Sequence, residues 1–137
     1  MKEDVSVKGD ILGRREIEVL VKRFYGMVRQ DAALGPVFDE VARVDWDAHI
    51  PKICDFWETV LFRTGGYKGS PLAVHRALAQ HARLDRPMFD RWLELFQAAV
   101  DHDFQGENAG HIQRVAADMA GVIHSKLQEG SPRGVPA

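Results

Sequence analysis

The sequence predicts an all-α domain, and three observations carry that expectation. Apolar residues recur at spacings of three and four along most of the chain, no stretch alternates apolar with polar residues, and glycine, proline and aspartate punctuate the periodic segments. The 137 residues, 45% of them hydrophobic, suffice for one domain with a core and are too few for separate catalytic lobes. Residues 1–10 read as a flexible N-terminal segment, 11–129 as the folded domain and 130–137 as a flexible tail rich in glycine and proline.

The first helix carries the stripe Ile17, Leu20, Val21, Phe24, Met27 and Val28, and the stretch from Asp31 to Gly35-Pro36 stops it. A turn is expected around Phe38 to Val44. Asp45 then caps a second helix with Trp46, His49, Ile50, Ile53, Phe56, Trp57, Val60 and Leu61 at helical spacing, ended by Gly65-Gly66. Ser70 caps a short third helix with Pro71 at its first position, and Leu72, His75, Leu78 and Ala79 share one side of it. Asp85 and Pro87 open a fourth helix, with Met88, Phe89, Trp92, Leu93, Leu95, Phe96, Ala99 and Val100 on its apolar side. A long last helix follows, marked by Ile112, Val115, Ala116, Met119, Val122, Ile123 and Leu127.

Composition narrows the function. Eighteen basic residues against twenty acidic ones give a net charge of −2, which disfavours nucleic acid or an anionic membrane as the main partner. The single cysteine, Cys54, cannot form an internal disulfide or a zinc site built on paired cysteines. It sits among Ile53, Phe56 and Trp57, where a thiol is a small buried hydrophobe rather than a nucleophile. No window is long and apolar enough for a signal peptide or a membrane span, so a cytoplasmic protein is expected. The stretch Asp101 to Gly106 opens like a calcium loop, but Ile112 stands where a bidentate glutamate is needed.

Six histidines and three tryptophans invite a question about a ligand pocket. His102, His111 and His124 lie beside polar neighbours and read as surface residues. His75 differs, because it shares a short helix face with Leu72 and Leu78. Taken singly, His75, Tyr25, His49 and Trp92 are most simply packing residues with satisfied hydrogen bonds. Taken together they match another need: one imidazole for the axial position of an iron porphyrin, and O–H and N–H donors for its opposite face. Phe24, Phe38, Ile53, Phe56, Trp57, Phe89 and Phe96 would supply apolar walls for a large flat cofactor.

At these residues the sequence resembles the truncated haemoglobins, and among them the third group. The matching segments are Phe24-Tyr25, Asp31-Ala-Ala-Leu34-Gly35-Pro36-Val-Phe38, Trp46-Asp-Ala-His49, Phe56-Trp57, Tyr67-Lys-Gly69-Ser-Pro71-Leu-Ala-Val-His75 and Phe89-Asp-Arg-Trp92-Leu93-Glu-Leu-Phe96. The resemblance implies a two-over-two helical globin holding haem b, with His75 as the proximal iron ligand. It implies Tyr25 and Trp92 as distal donors, His49 as a distal gate, Phe38 packed on the haem and Ile53 as a distal wall. The implied iron ligands are dioxygen, nitric oxide, carbon monoxide or peroxide, with a reductase of unknown identity. Strong distal donors suit redox or detoxification chemistry, dioxygenase-like or peroxidase-like, better than oxygen transport.

Two features depart from the pattern. Pro51, two residues after His49, predicts a disturbed helix there. His81 is a second histidine near the ligand position, but His75 has the family's spacing from Gly69 and Pro71. The rival readings are a haem-free helical module that uses its aromatic groove for a partner helix or apolar ligand, and a haem-based sensor, for which 137 residues leave no output domain.

Overall fold

The computed structural model describes residues 8–38, 45–67, 69–79 and 84–129. Five helices run through them: α1 Arg14–Gln30, α2 Trp46–Phe62, α3 Pro71–Ala79, α4 Arg86–Asp103 and α5 Glu107–Glu129. Helices α1 and α2 pack together and α4 and α5 pack together, and the two pairs meet through α1 on α4 and α2 on α5. The short α3 packs on α5. Among the described residues the sole β-type pairing is an isolated bridge between Gly9 and Phe104, and no helix is long and apolar enough to cross a membrane. The expected turn at residues 39–44 lies outside the described residues, as does His81.

The predicted caps form. The Asp45 side chain accepts from the Asp47 amide at 3.2 Å, Ser70 Oγ from the Ala73 amide at 3.2 Å and Asp85 Oδ1 from the Met88 amide at 3.3 Å. Each satisfies an amide that helix geometry leaves without a partner. Asp10, which the sequence pattern left without a role, caps α5 across the fold: its carboxylate accepts from the Asn108 and Ala109 amides at 2.9 and 2.8 Å. Ile11 beside it is fully buried.

Three expectations change. Helix α2 ends at Phe62, ahead of Gly65-Gly66, because Arg63 takes the left-handed conformation (φ 57°) and closes the last turn by donating its amide to the Thr59 carbonyl. Pro51 sits inside α2 without breaking it. Its missing amide falls just past the first turn, and Arg14 ties the two turns that follow to α1 through Asp55 Oδ1 at 2.7 Å and Glu58 Oε1 at 3.0 Å. Val122 is 56% exposed rather than part of the core stripe, because the buried line of α5 runs through Ala109, Ile112, Ala116, Ala120 and Ile123.

The core between the pairs is aromatic at its centre. Phe24, Trp57 and Phe96 are at most 2% exposed, and Phe96 stacks on Trp57 at 5.1 Å and meets Phe24 edge-on at 5.2 Å. Burying each such ring stabilises the fold by about 1.5–3 kcal/mol. By contrast, α3 has no fully buried residue. Its Pro71 and Leu72 border a cleft shared with α2 and α5.

Candidate cofactor site

Helix α1 delivers Tyr25 into the structure one residue after the core ring of Phe24. The phenol is buried, and its ring lies 5.8 Å from Phe38, 5.3 Å from Trp46 and 5.3 Å from His49. The first two turns of α2 supply Trp46 and His49, three residues apart and therefore on one face, with rings 5.6 Å apart. Helix α4 supplies Phe89, Trp92 and Phe96 by the same spacing, with Trp92 stacked on Phe96 at 5.4 Å. Helix α3 supplies His75, whose ring centroid is 6.2 Å from that of Phe89.

A turn anchored by Asp31 holds the distal parts in place. Its carboxylate accepts from the Ala33 and Leu34 amides at 3.1 and 3.0 Å, and from Arg91 Nε at 2.7 Å. The chain after Tyr25 is thereby tied to α4 one residue before Trp92. Burial pushes the Asp31 carboxyl upward, and Arg91 with the two amides outweighs it, so the group titrates below its ordinary value. Gly35 completes the turn: a Cβ there would stand 2.6 Å from the Arg29 carbonyl oxygen.

The donors are ordered by chemistry. The Trp92 indole, which can only donate, acts on the phenol oxygen of Tyr25 and favours its ionised form, but burial outweighs it. Burial pushes the Tyr25 pKa well above its ordinary value, so the phenol keeps its own proton to give. His49 Nε2 is buried and has no hydrogen-bond partner, the only such side-chain atom among the described residues. Burial lowers the His49 pKa, and the nearby charges of Lys52 and His75 lower it further, so the imidazole is neutral at pH 7. His75 Nδ1 lies 2.7 Å from the Pro71 carbonyl oxygen. That oxygen can only accept, so Nδ1 carries the proton and Nε2 presents a lone pair.

The remaining predicted residues divide by burial. Phe38, Ile53, Phe89 and Trp92 are half-buried, while Phe24, Trp57 and Phe96 form the packed wall behind Trp92. His102 and His111 are exposed as expected. His124 is not: it is half-buried with its ring 5.4 Å from Phe89, because it flanks the core line of α5. Trp46, Asp31 and Arg91 were missed as site residues. The signal for Trp46 was its position three residues before His49, whereas the Asp31–Arg91 pair joins positions sixty residues apart and left no local trace. An apolar cleft of about 470 Å³ between α2, α3 and α5, lined by Phe56, Leu72, Met119 and Ile123 among others, contains none of the clustered donors.

No family model matches the chain. A curated group 3 truncated haemoglobin of Campylobacter jejuni is 30% identical over 125 residues, spanning 89% of this chain and 93% of the relative. The chain belongs to the group 3 truncated haemoglobins. The crystal structure of the group III truncated haemoglobin from C. jejuni superposes with a TM-score of 0.77 at 29% identity, covering 88% of this chain and 95% of that one. The all-α globin-like fold expected from the sequence is thus confirmed, and the chain is a globin-type haem protein that binds small ligands.

The residues of this truncated haemoglobin fit such a cofactor. An imidazole with a free Nε2 lone pair, apolar half-buried rings and a buried partnerless Nε2 are what a planar iron-bearing group with a small ligand would complete. Among the described residues no three His, Cys, Asp or Glu side chains converge on a metal position.

Proposed function

We propose that His75 is the proximal ligand of haem b, bound through Nε2, and that residues 11–129 are the haem-binding unit. Phe38, Ile53 and Phe89 contact the cofactor, with Phe24, Trp57 and Phe96 packed behind. When bound, the haem supplies an iron that can change oxidation state and keeps one coordination position open for dioxygen, nitric oxide, carbon monoxide or peroxide.

The residues of the chain then determine what happens at that position. Tyr25 gives its O–H to a ligand that carries negative charge, and Trp92 fixes the phenol from behind by donating to its oxygen. His49, neutral and unpartnered, adds a second polar contact that ligand entry can turn toward or away. Donation of this strength retains the ligand, which supports redox or detoxification chemistry with a separate reductase, in the cytoplasm, over bulk oxygen transport. The observation that carries the reading is the buried, partnerless His49 Nε2 beside the protonated Tyr25 phenol. The visible spectrum of the full chain after addition of hemin tests it. A Soret band that shifts with carbon monoxide after reduction is the expected result; no band, or one that survives His75→Ala unchanged, overturns it.

A further inference from the structure

The rings around the site do not end at the site. From Trp92 they continue in contact to the far side of α2: Trp92 stacks on Phe96 at 5.4 Å with planes 6° apart, and Phe96 stacks on Trp57 at 5.1 Å. Trp57 meets Phe56 edge-on at 4.8 Å, and Phe56 meets Tyr67 edge-on at 5.2 Å. Trp57 and Phe96 are buried, while Tyr67 is half-buried in the loop after α2. That loop holds Tyr67 in a fixed place. Its amide donates to Thr59 Oγ1 at 3.2 Å, and its phenol lies so close over the backbone of Gly69 that a Cβ there would stand 2.7 Å from the phenol oxygen.

We propose that Trp92, Trp57 and Tyr67, bridged by Phe96 and Phe56, form a relay that passes single electrons from the surface into the pocket. The proposal rests on the reading that redox chemistry with peroxide takes place beside Trp92. Indoles and phenols lose an electron far more readily than benzene rings, so the oxidisable residues are the stations and the phenylalanines are contacts between them. Tunnelling falls off exponentially with the gap between rings, and here each gap is filled by one ring in van der Waals contact.

The electron count closes. A peroxide consumed in the pocket needs two electrons and two protons to become water, or water and an alcohol. Trp92 gives one electron and is refilled by Trp57, which is refilled by Tyr67. The Tyr67 O–H bond breaks as its proton passes to solvent, leaving a neutral phenoxyl radical. An external phenol then returns a hydrogen atom to Tyr67 and leaves as its own phenoxyl radical. Both indoles end as they began, and a second passage supplies the second electron.

Two alternative terminals are disfavoured by their surroundings. Trp46 also lies near the pocket, 5.3 Å from Tyr25, but the Arg29 guanidinium sits 4.9 Å from its ring centre, and a positive charge there opposes removal of an electron. Tyr25 is buried and has no access to bulk water for its proton. Tyr67 combines contact with the stack and access to solvent.

The chain has two tyrosines, which makes the test clean. In pulse radiolysis of the full chain, azidyl radicals oxidise tryptophan, and the decay of the tryptophanyl band into a tyrosyl band reports the transfer. The relay predicts that Tyr67→Phe abolishes the tyrosyl band and that Phe56→Leu slows its growth. A band that survives Tyr67→Phe places the radical on Tyr25 and overturns the proposal. In a second arm, hemin-loaded protein is treated with hydrogen peroxide and a nitroso spin trap, and the adduct is located by mass spectrometry. An adduct at Tyr67 that is lost in Phe56→Leu supports the relay, and adducts confined to Trp46 or Tyr25 overturn it. Failure of hemin to bind would defeat the haem reading, while the radiolysis arm would still decide the relay.

Discussion

Replacing Tyr25 by Phe tests the arrangement of the distal donors more sharply than any other single change. The variant keeps the ring and its contacts with Phe24, Phe38, Trp46 and His49 and removes one oxygen. That oxygen is the one on which the Trp92 indole, a donor only, acts. Trp92 is half-buried, so water can reach its N–H in the variant, and the loss should be near the net worth of a neutral hydrogen bond, about 1 kcal/mol. Urea unfolding of the haem-free chain should show it as a lower midpoint with an unchanged slope. A cycle of Tyr25→Phe, Trp92→Phe and the double variant should return a coupling of about 1 kcal/mol. In the haem-loaded protein the missing O–H is one that donates to a charged ligand, worth about 1.5–3 kcal/mol, so dioxygen dissociation should accelerate by roughly 10- to 150-fold. Trp92→Phe should accelerate it less, since the indole acts on the Tyr25 phenol and through it. If the tryptophan variant released oxygen as fast as the tyrosine variant and the coupling were zero, the order of donors derived above would be wrong.

Other outcomes follow from the same geometry. His75→Gly should lose the haem and regain it with added imidazole, since Nε2 of that ring is the free lone pair; tight retention in its absence would put the proximal ligand elsewhere. The His49 pKa is lowered in the folded chain, so its contribution is fully present above the unfolded value of about 6.5 and is lost as pH falls below it. The urea midpoint of the haem-free chain should therefore drop between pH 7 and 5, and His49→Gln should flatten that slope. Burial pushes the Cys54 thiol up to about 11, so iodoacetamide at pH 8 should label the folded chain far more slowly than the urea-unfolded chain, and equal rates would contradict its placement in the core. Asp10→Ala removes the cap of α5 and should cost about 1 kcal/mol in urea unfolding, whereas an unchanged midpoint would mean that the cap is dispensable.

Much of the fold was legible because its causes are local. A 3.6-residue apolar period needs only a window of the chain, and Asp45, Ser70, Asp85 and Pro71 announce their helices within three residues of where they act. The errors were also local in origin. Gly65-Gly66 looked the better helix stop, yet Arg63 took the left-handed position, and Pro51 looked disruptive although α2 runs through it.

By itself the sequence determined five helices, the candidate imidazoles and aromatic rings, and the family that their spacing resembles. Tertiary structure decided which of these share a site. It set the Trp92 indole against the Tyr25 phenol, left His49 Nε2 without a partner, committed His75 Nδ1 to a carbonyl and moved His124 from the surface to Phe89. It also joined Asp31 to Arg91 and Asp10 to α5. The physical reason is range. Helix periods and caps are set by neighbours within one turn, whereas a hydrogen bond or ring contact between residues far apart in sequence exists only once packing has fixed both ends.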